Sequence, residues 1–248
     1  MKVRQYVIEQ TKRNEYAERV FTRKIRKALE LTIEPAIDII ATDFYNAEQR
    51  IGNVLKPNHI EAALRWLYVE WGYNNMIWFS QNLPFQKKDF WQDVLSKKFA
   101  EIGAEKVTEI LGTTLKLIKP QIKEAISLAS TGASIDKIRR EIINNVKKEG
   151  GSMSRGRAQL IARTEVISAS NMSTYEAASQ SGVKLMKKWS TGGRNIRETH
   201  KSAARVGYIP MEQDFRVGNY HMAHPGDPRG GASEVCNCKC ILIDRVAD

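Results

Sequence analysis

Three histidines and three cysteines near the end of the chain, His200, His221, His224, Cys236, Cys238 and Cys240, supply more nitrogen and sulfur ligands than one zinc ion needs. The thiols all fall within one pentapeptide. On a strand, alternate side chains share a face, so the three sulfurs would line one side and Asn237 and Lys239 would point to the other. Neighbours two apart on a strand are separated by about 6.6 Å between Cα atoms, so chelation by adjacent thiols requires a bend. The single residue between cysteines is also shorter than the two to four of a standard zinc ribbon or finger. The zinc expectation is therefore a mixed, closed, structural site of His200, Cys238 and Cys240 with His224 or His221 as the fourth ligand. Its alternative is a metal-free cluster of small buried thiols, with the histidines hydrogen-bonded to a loop.

A nucleophilic reading would pair Cys238 with His200 and Glu165, because a thiolate beside an imidazole is the usual requirement. Nothing in the sequence supplies a nucleophile elbow or an oxyanion hole, and the expectation is a protein that is not an enzyme. Pro225-Gly226-Asp227-Pro228 reads as a turn: proline fixes φ, glycine admits positive φ, and aspartate can bond its own backbone. Arg163 and Glu165 lie two apart on a helix and face different sides. One of them is expected to bond the loop backbone from Arg197 to His200, an architectural role, since a buried charge is retained when paired.

The elements that would position these residues fall into two halves. Before Gly150-Gly151 the apolar pattern is helical throughout. Val20, Phe21, Ile25, Ala28 and Leu29 recur at helical spacing from Glu15 to Leu31. Pro35 and Lys56-Pro57-Asn58 act as breakers, with Asn58 capping a helix through Ala62, Ala63, Trp66, Leu67 and Tyr68. The aromatics from Trp66 to Phe79, with few basic residues between them, suit a core or a protein contact better than a base-stacking platform. A helix from Phe90 to Ile118 is expected to end or kink near Pro120. A short helix with Ile122, Ala125, Ile126 and Ala129 follows. Then comes one capped by Ser134 that carries Ile135, Ile138, Ile142 and Val146 on one face.

Two glycines after Lys147-Lys148 stop a helix and loosen the joint, which places a domain division between residues 1–150 and 151–248. Ser154 opens a long helix with Ala158, Ile161, Ala162, Val166, Ala169 and Met172 as its buried stripe, and Gly182 closes it. Frequent glycines and the short runs Lys184 to Trp189 and Cys240 to Ile243 then suit strands. The fold class is α+β: a mostly helical first half, then a small module with a long helix packed on a short sheet.

The chain carries 39 Lys plus Arg against 28 Asp plus Glu, a formal charge of +11 and a pI near 9.6, which favours a polyanionic neighbour. Residues 1–150 hold 25 basic and 19 acidic side chains and residues 151–248 hold 14 and 9, so the excess is not confined to a tail. Arg19, Arg23, Lys24, Arg26 and Lys27 form a basic helix face suited to a phosphate backbone or a membrane surface, or to plain solvation. No apolar run has the length of a bilayer span and the start lacks a signal-peptide core, so synthesis in a cytoplasm is expected. Three clustered cysteines do not make a secreted disulfide framework.

Four signals occur in order across Arg155 to Ile243: Ala162-Arg163-Thr164-Glu165 followed by Asn171; a strand ending in Trp189, eleven residues before His200, with Arg197 between; Pro225-Gly226-Asp227-Pro228; and Asn237-Cys238-Lys239-Cys240 leading into an apolar strand. Together they resemble the Mu F-like family of phage head-morphogenesis (minor head) proteins. Gly193 and Asn195, where members often have Asp and Arg, Lys239 in place of a common arginine, and the extra Cys236 depart from the pattern. The resemblance implies a structural protein in the virion of a tailed double-stranded DNA phage, made in the bacterial host's cytoplasm. It implies association with the portal or the major capsid protein inside the head, and effects on assembly and on DNA packaging or delivery, with packaged DNA as a further contact. It brings no cofactor, no small-molecule substrate and no membrane.

Overall fold

The computed structural model describes residues 3–82, 88, 90–130, 134, 140, 143–144, 154–193 and 195–247. Its order is α1 (Val3–Thr42), a 3-10 turn at Phe44–Asn46, α2 (Ala47–Val54), α3 (Asn58–Arg65), a π-helix at Trp66–Trp71, α4 (Gly72–Ser80) and α5 (Trp91–Ser130). Then follow α6 (Ser154–Ser179), β1 (Leu185–Ser190), α7 (Glu198–Arg205), β2 (Tyr208–Pro210), β3 (Phe215–Val217), β4 (Tyr220–Met222), α8 (Gly231–Val235) and β5 (Ile241–Val246). The fold is α+β, helical through the first half, with a small antiparallel sheet in the last third. No described helix is long and apolar enough to cross a membrane.

The chain forms two compact units, each drawn from separate stretches. The first takes Met1–Thr22, Arg65–Phe99 and Gln159–Asp248; the second takes Arg23–Leu64 and Ala100–Ala158. The division expected at Gly150-Gly151, and the helix face of Ile135, Ile138, Ile142 and Val146, lie outside the described residues.

In the second unit, neither proline ends its helix. Pro35 sits inside α1 and Pro120 inside α5, so the short helix expected after Pro120 is the continuation of α5. A proline in a helix interior costs about 3 kcal/mol through the lost hydrogen bond and the clash with the preceding turn. Ile33, Ala36, Ile39 and Ile40 flank Pro35, and Ile118 and Ile122 flank Pro120. All six share one buried cluster with Phe44, Ala47 and Ile51. Burying each large side chain contributes roughly 1.5–3 kcal/mol, enough for a few of them to offset either proline. α3 begins at Asn58, and the Glu61 N–H bonds the Pro57 carbonyl at 3.0 Å.

In the first unit, α6 runs through the centre, and its residues 164–174 are all buried. A helix enclosed on every side must satisfy its polar side chains internally, and this one does so with partners far away in sequence. Tyr68 and Phe79 of the aromatic stretch are buried, Tyr6 stacks on Trp78 at 5.2 Å, and Arg13 lies over Trp71 and Trp78 at 5.3 and 4.8 Å. These rings are core and helix contact, as their sparse basic neighbours suggest.

The sheet order is β2-β1-β5, all antiparallel, with Trp189 opposite Leu242; β3 and β4 form a separate hairpin. Trp189, Phe215, Met222 and Leu242 are the centre of the module's own core.

Candidate functional site

The cysteine pentapeptide is not a strand: it is the turn between α8 and β5, which begins only at Ile241. Asn237 takes φ +57, a left-handed conformation that Asn tolerates better than most residues. This is the bend that the strand geometry lacked. It turns Cys236 to the surface, while Cys238 and Cys240 face inward with 2% exposure each.

α6 holds that turn at both ends. Thr164 Oγ1 accepts the Asn237 backbone N–H at 3.0 Å, and Arg163 donates to Asn237 Oδ1 at 2.8 Å while pairing with Glu18 at 3.0 Å. Asn171, two turns further on, donates to the Cys240 carbonyl at 3.0 Å and accepts from the Leu242 N–H at 2.8 Å. Glu165 accepts from the Tyr68 hydroxyl at 2.6 Å. The expected bond from Arg163 or Glu165 to the Arg197–His200 backbone is therefore corrected: both reach segments of the amino-terminal half instead, at sequence separations of 145 and 97. Arg197 bonds the Cys236 carbonyl at 2.7 Å. A side chain at Gly192 would put its Cβ 2.1 Å from the Lys239 carbonyl, so the loop after β1 packs directly on the turn.

His200, in the first turn of α7 and 2% exposed, completes the cluster. Its Nδ1 lies 3.3 Å from Cys240 Sγ and 3.7 Å from Cys238 Sγ. Its Nε2 lies 3.1 Å from Glu234 Oε2, without the alignment of a hydrogen bond, and Thr199 donates to that same oxygen at 2.8 Å. The hydrogen bond between the two sulfurs favours a single negative charge on the pair. It draws Cys240 below the usual thiol range and pushes Cys238 above it, while burial resists charge on both.

His224 is elsewhere. It bonds the Pro225 carbonyl at 3.1 Å, lies 5.7 Å from the Tyr175 ring, and is held below the usual imidazole range by burial. The fourth ligand expected from His224 is thus not placed with the thiols: among the described residues the group of ligand atoms is His200, Cys238 and Cys240, and His221 on β4 is exposed.

Pro225 to Pro228 does form a turn. Asp227 accepts from the Ala223 N–H at 2.7 Å and the Arg229 N–H at 3.0 Å, and Arg229 bridges it to Asp214 at 2.8 Å. Burial works to raise Asp227, yet these donors and His224 hold it below the usual carboxylate range. Ser168 of α6 donates to the Gly226 carbonyl at 2.7 Å, and Gly226 (φ +80) would put a Cβ 2.8 Å from Ser168 Cα.

Several residues of this region were not singled out from the sequence. Glu234 and Thr199 gave no signal beyond their type. Lys187 did give one: on a strand it shares a face with Leu185 and Trp189. Its ammonium is buried, bonds the Ala223 carbonyl at 2.9 Å, lies over the Tyr175 and Phe215 rings at 4.7 and 5.4 Å, and is pushed down to about 8 by burial. Its register partner Asp244, whose carboxylate oxygens are buried without a hydrogen bond, is pushed up to about 8 by the same cause. The basic residues Arg19, Arg23, Lys24, Arg26 and Lys27 are all exposed on α1.

Chemically, a row of thiol, imidazole and carboxylate can bind a cation or activate a nucleophile. A nucleophile must meet its substrate, and sulfurs with 2% exposure are walled off by α6, Trp189 and the cysteine turn itself. The arrangement favours holding over reacting.

A family model described as Phage Mu protein F like protein matches residues 114–243. No match was found among curated proteins or among solved structures.

Proposed function

Since this chain belongs to the phage Mu protein F-like family, whose model spans more than half of it, we propose that it is a structural minor head protein of a tailed double-stranded DNA phage. In this reading it resides in the virion, at the head interior or the portal. It binds portal protein or major capsid protein and assists head assembly and DNA packaging or delivery by contact, not by catalysis.

One observation carries this furthest. The motif residues Arg163, Thr164, Glu165, Asn171, Asn237 and Cys240 bond each other or the protein's own frame. Residues spent in this way build a rigid module, which suits a protein that works by presenting surfaces. The exposed basic face of α1 and the charge of +11 suit a neighbour with a phosphate backbone.

The test is co-assembly with the portal protein of the same phage. The purified chain is mixed with portal rings, and separately with major capsid protein, and sedimented at physiological salt. Co-sedimentation at a fixed ratio supports the portal assignment, and migration as separate species with both portal and capsid protein removes it.

A further inference from the structure

We propose that His200, Cys238 and Cys240 bind one thiophilic divalent cation of the zinc class, and that Glu234 and Thr199 position the histidine for it. The three ligand atoms lie within 4.8 Å of one another and come from two elements, α7 and the turn before β5. Zinc bonds of about 2.3 Å to sulfur and about 2.0–2.1 Å to nitrogen, set at the tetrahedral angle, place sulfur and nitrogen about 3.6 Å apart. The two sulfur–Nδ1 distances, 3.3 and 3.7 Å, bracket that edge.

Other features fit a cation better than a packed thiol pair. A metal-bound histidine usually donates its remaining ring N–H to a carboxylate, which fixes the tautomer. Here the nitrogen facing away from the sulfurs lies 3.1 Å from Glu234, a proximity that a small rotation of the ring would turn into that bond, and Glu234 is itself held by the Thr199 hydroxyl at 2.8 Å. The Cys240 backbone N–H points at Cys238 Sγ at 3.3 Å, a donor that stabilises a thiolate. Cys240 is anchored through its carbonyl by Asn171, and Arg163 and Thr164 hold the bend at Asn237, so the ligand positions are built before any ion arrives. Among the described residues three protein ligands are in the group, and the fourth position falls to a small exogenous ligand such as water. The ion would tie α7 to the start of β5, a clamp across the module. Binding releases the thiol protons, so occupancy weakens in acid.

The experiment uses the full chain, purified under reducing conditions without chelator, then stripped and titrated with cobalt(II). About one zinc per chain as isolated, together with the intense visible bands of tetrahedral cobalt and the near-ultraviolet thiolate-to-cobalt bands, supports the site. Those bands are expected to vanish in Cys238→Ser and Cys240→Ser and to persist in Cys236→Ser. The wild-type measurement decides even if a variant does not fold. Absence of metal with no cobalt bands overturns the proposal. A Cys238–Cys240 disulfide, seen as a loss of two mass units in protein kept under argon, overturns it as well. Cobalt bands that survive both serine variants would place the ion elsewhere and overturn this ligand set.

Discussion

Among the described residues, the second unit buries Thr32, Lys106 and Thr114 as its polar side chains, whereas α6 alone in the first unit buries Thr164, Glu165, Ser168, Ser170, Asn171, Ser173 and Thr174. The second unit's cluster is apolar, aliphatic but for Phe44, and apolar contacts of this kind are non-directional. They tolerate exchange of one shape for another of equal volume, and they carry two proline-bearing helices without interruption. The first unit is fixed by directed bonds, each needing a particular donor or acceptor at a particular place. Such a region tolerates few substitutions at those places, and there the residues of the head-protein pattern cluster.

The largest expected effect separates the two kinds of core with no change in the number of heavy atoms. Asn171→Leu leaves the Cys240 carbonyl and the Leu242 N–H without partners, and it should cost about 3 kcal/mol, since each orphaned buried group costs roughly 1–3 kcal/mol. Ile40→Leu in the aliphatic cluster should cost less than about 1.5 kcal/mol. Urea unfolding of the two variants compares them directly, and equal losses would break the distinction. Next comes Gly226→Ala, which combines a left-handed backbone with a Cβ 2.8 Å from Ser168 Cα. A loss of about 2 kcal/mol is expected.

Those contrasts bear on what could be read from the sequence. The start of α6 at Ser154, the closing strand and the core role of the aromatic stretch follow from caps and periodicity, which are local. The pairings Arg163 with Glu18 and Glu165 with Tyr68 leave no local trace, because a directed bond across more than ninety residues imposes no period on either segment. Pro35 as a breaker and the separate helix after Pro120 misled for the complementary reason: a proline's local cost is legible and the packing that offsets it is not. Cys238, Cys240 and His200 are legible as a group from their types, whereas the turn that carries His224 away to the Pro225 carbonyl leaves no trace in ligand counting, and Glu234 is hidden in a short helix.

A smaller effect concerns pH. Asp244 is raised from 3.8 to about 8, so the folded state keeps its proton longer than the unfolded chain does, and stability falls as pH rises from about 4 to about 8. Lys187 is lowered from 10.5 to about 8, so the folded state gives up its proton sooner, and stability recovers between about 8 and 10.5. The cross-strand pair therefore predicts a minimum near pH 8. Subtracting the profile of Asp244→Asn isolates it from His224, whose burial has the opposite slope below 6.5. If the two profiles run parallel from pH 4 to 8, the buried-carboxylate account is wrong.

The smallest effect belongs to the exposed helix face. Arg26 and Glu30 pair at 3.3 Å with half and about a third of each side chain exposed, and Arg26→Ala should shift stability by less than about 0.5 kcal/mol.

The most direct test of the head-protein account is the protein composition of purified phage heads, by quantitative mass spectrometry against labelled peptides from residues 155–243. The account predicts this chain in the particle at a fixed, low ratio to the major capsid protein. Its consistent absence from heads, in cells that make the protein in abundance, would contradict it.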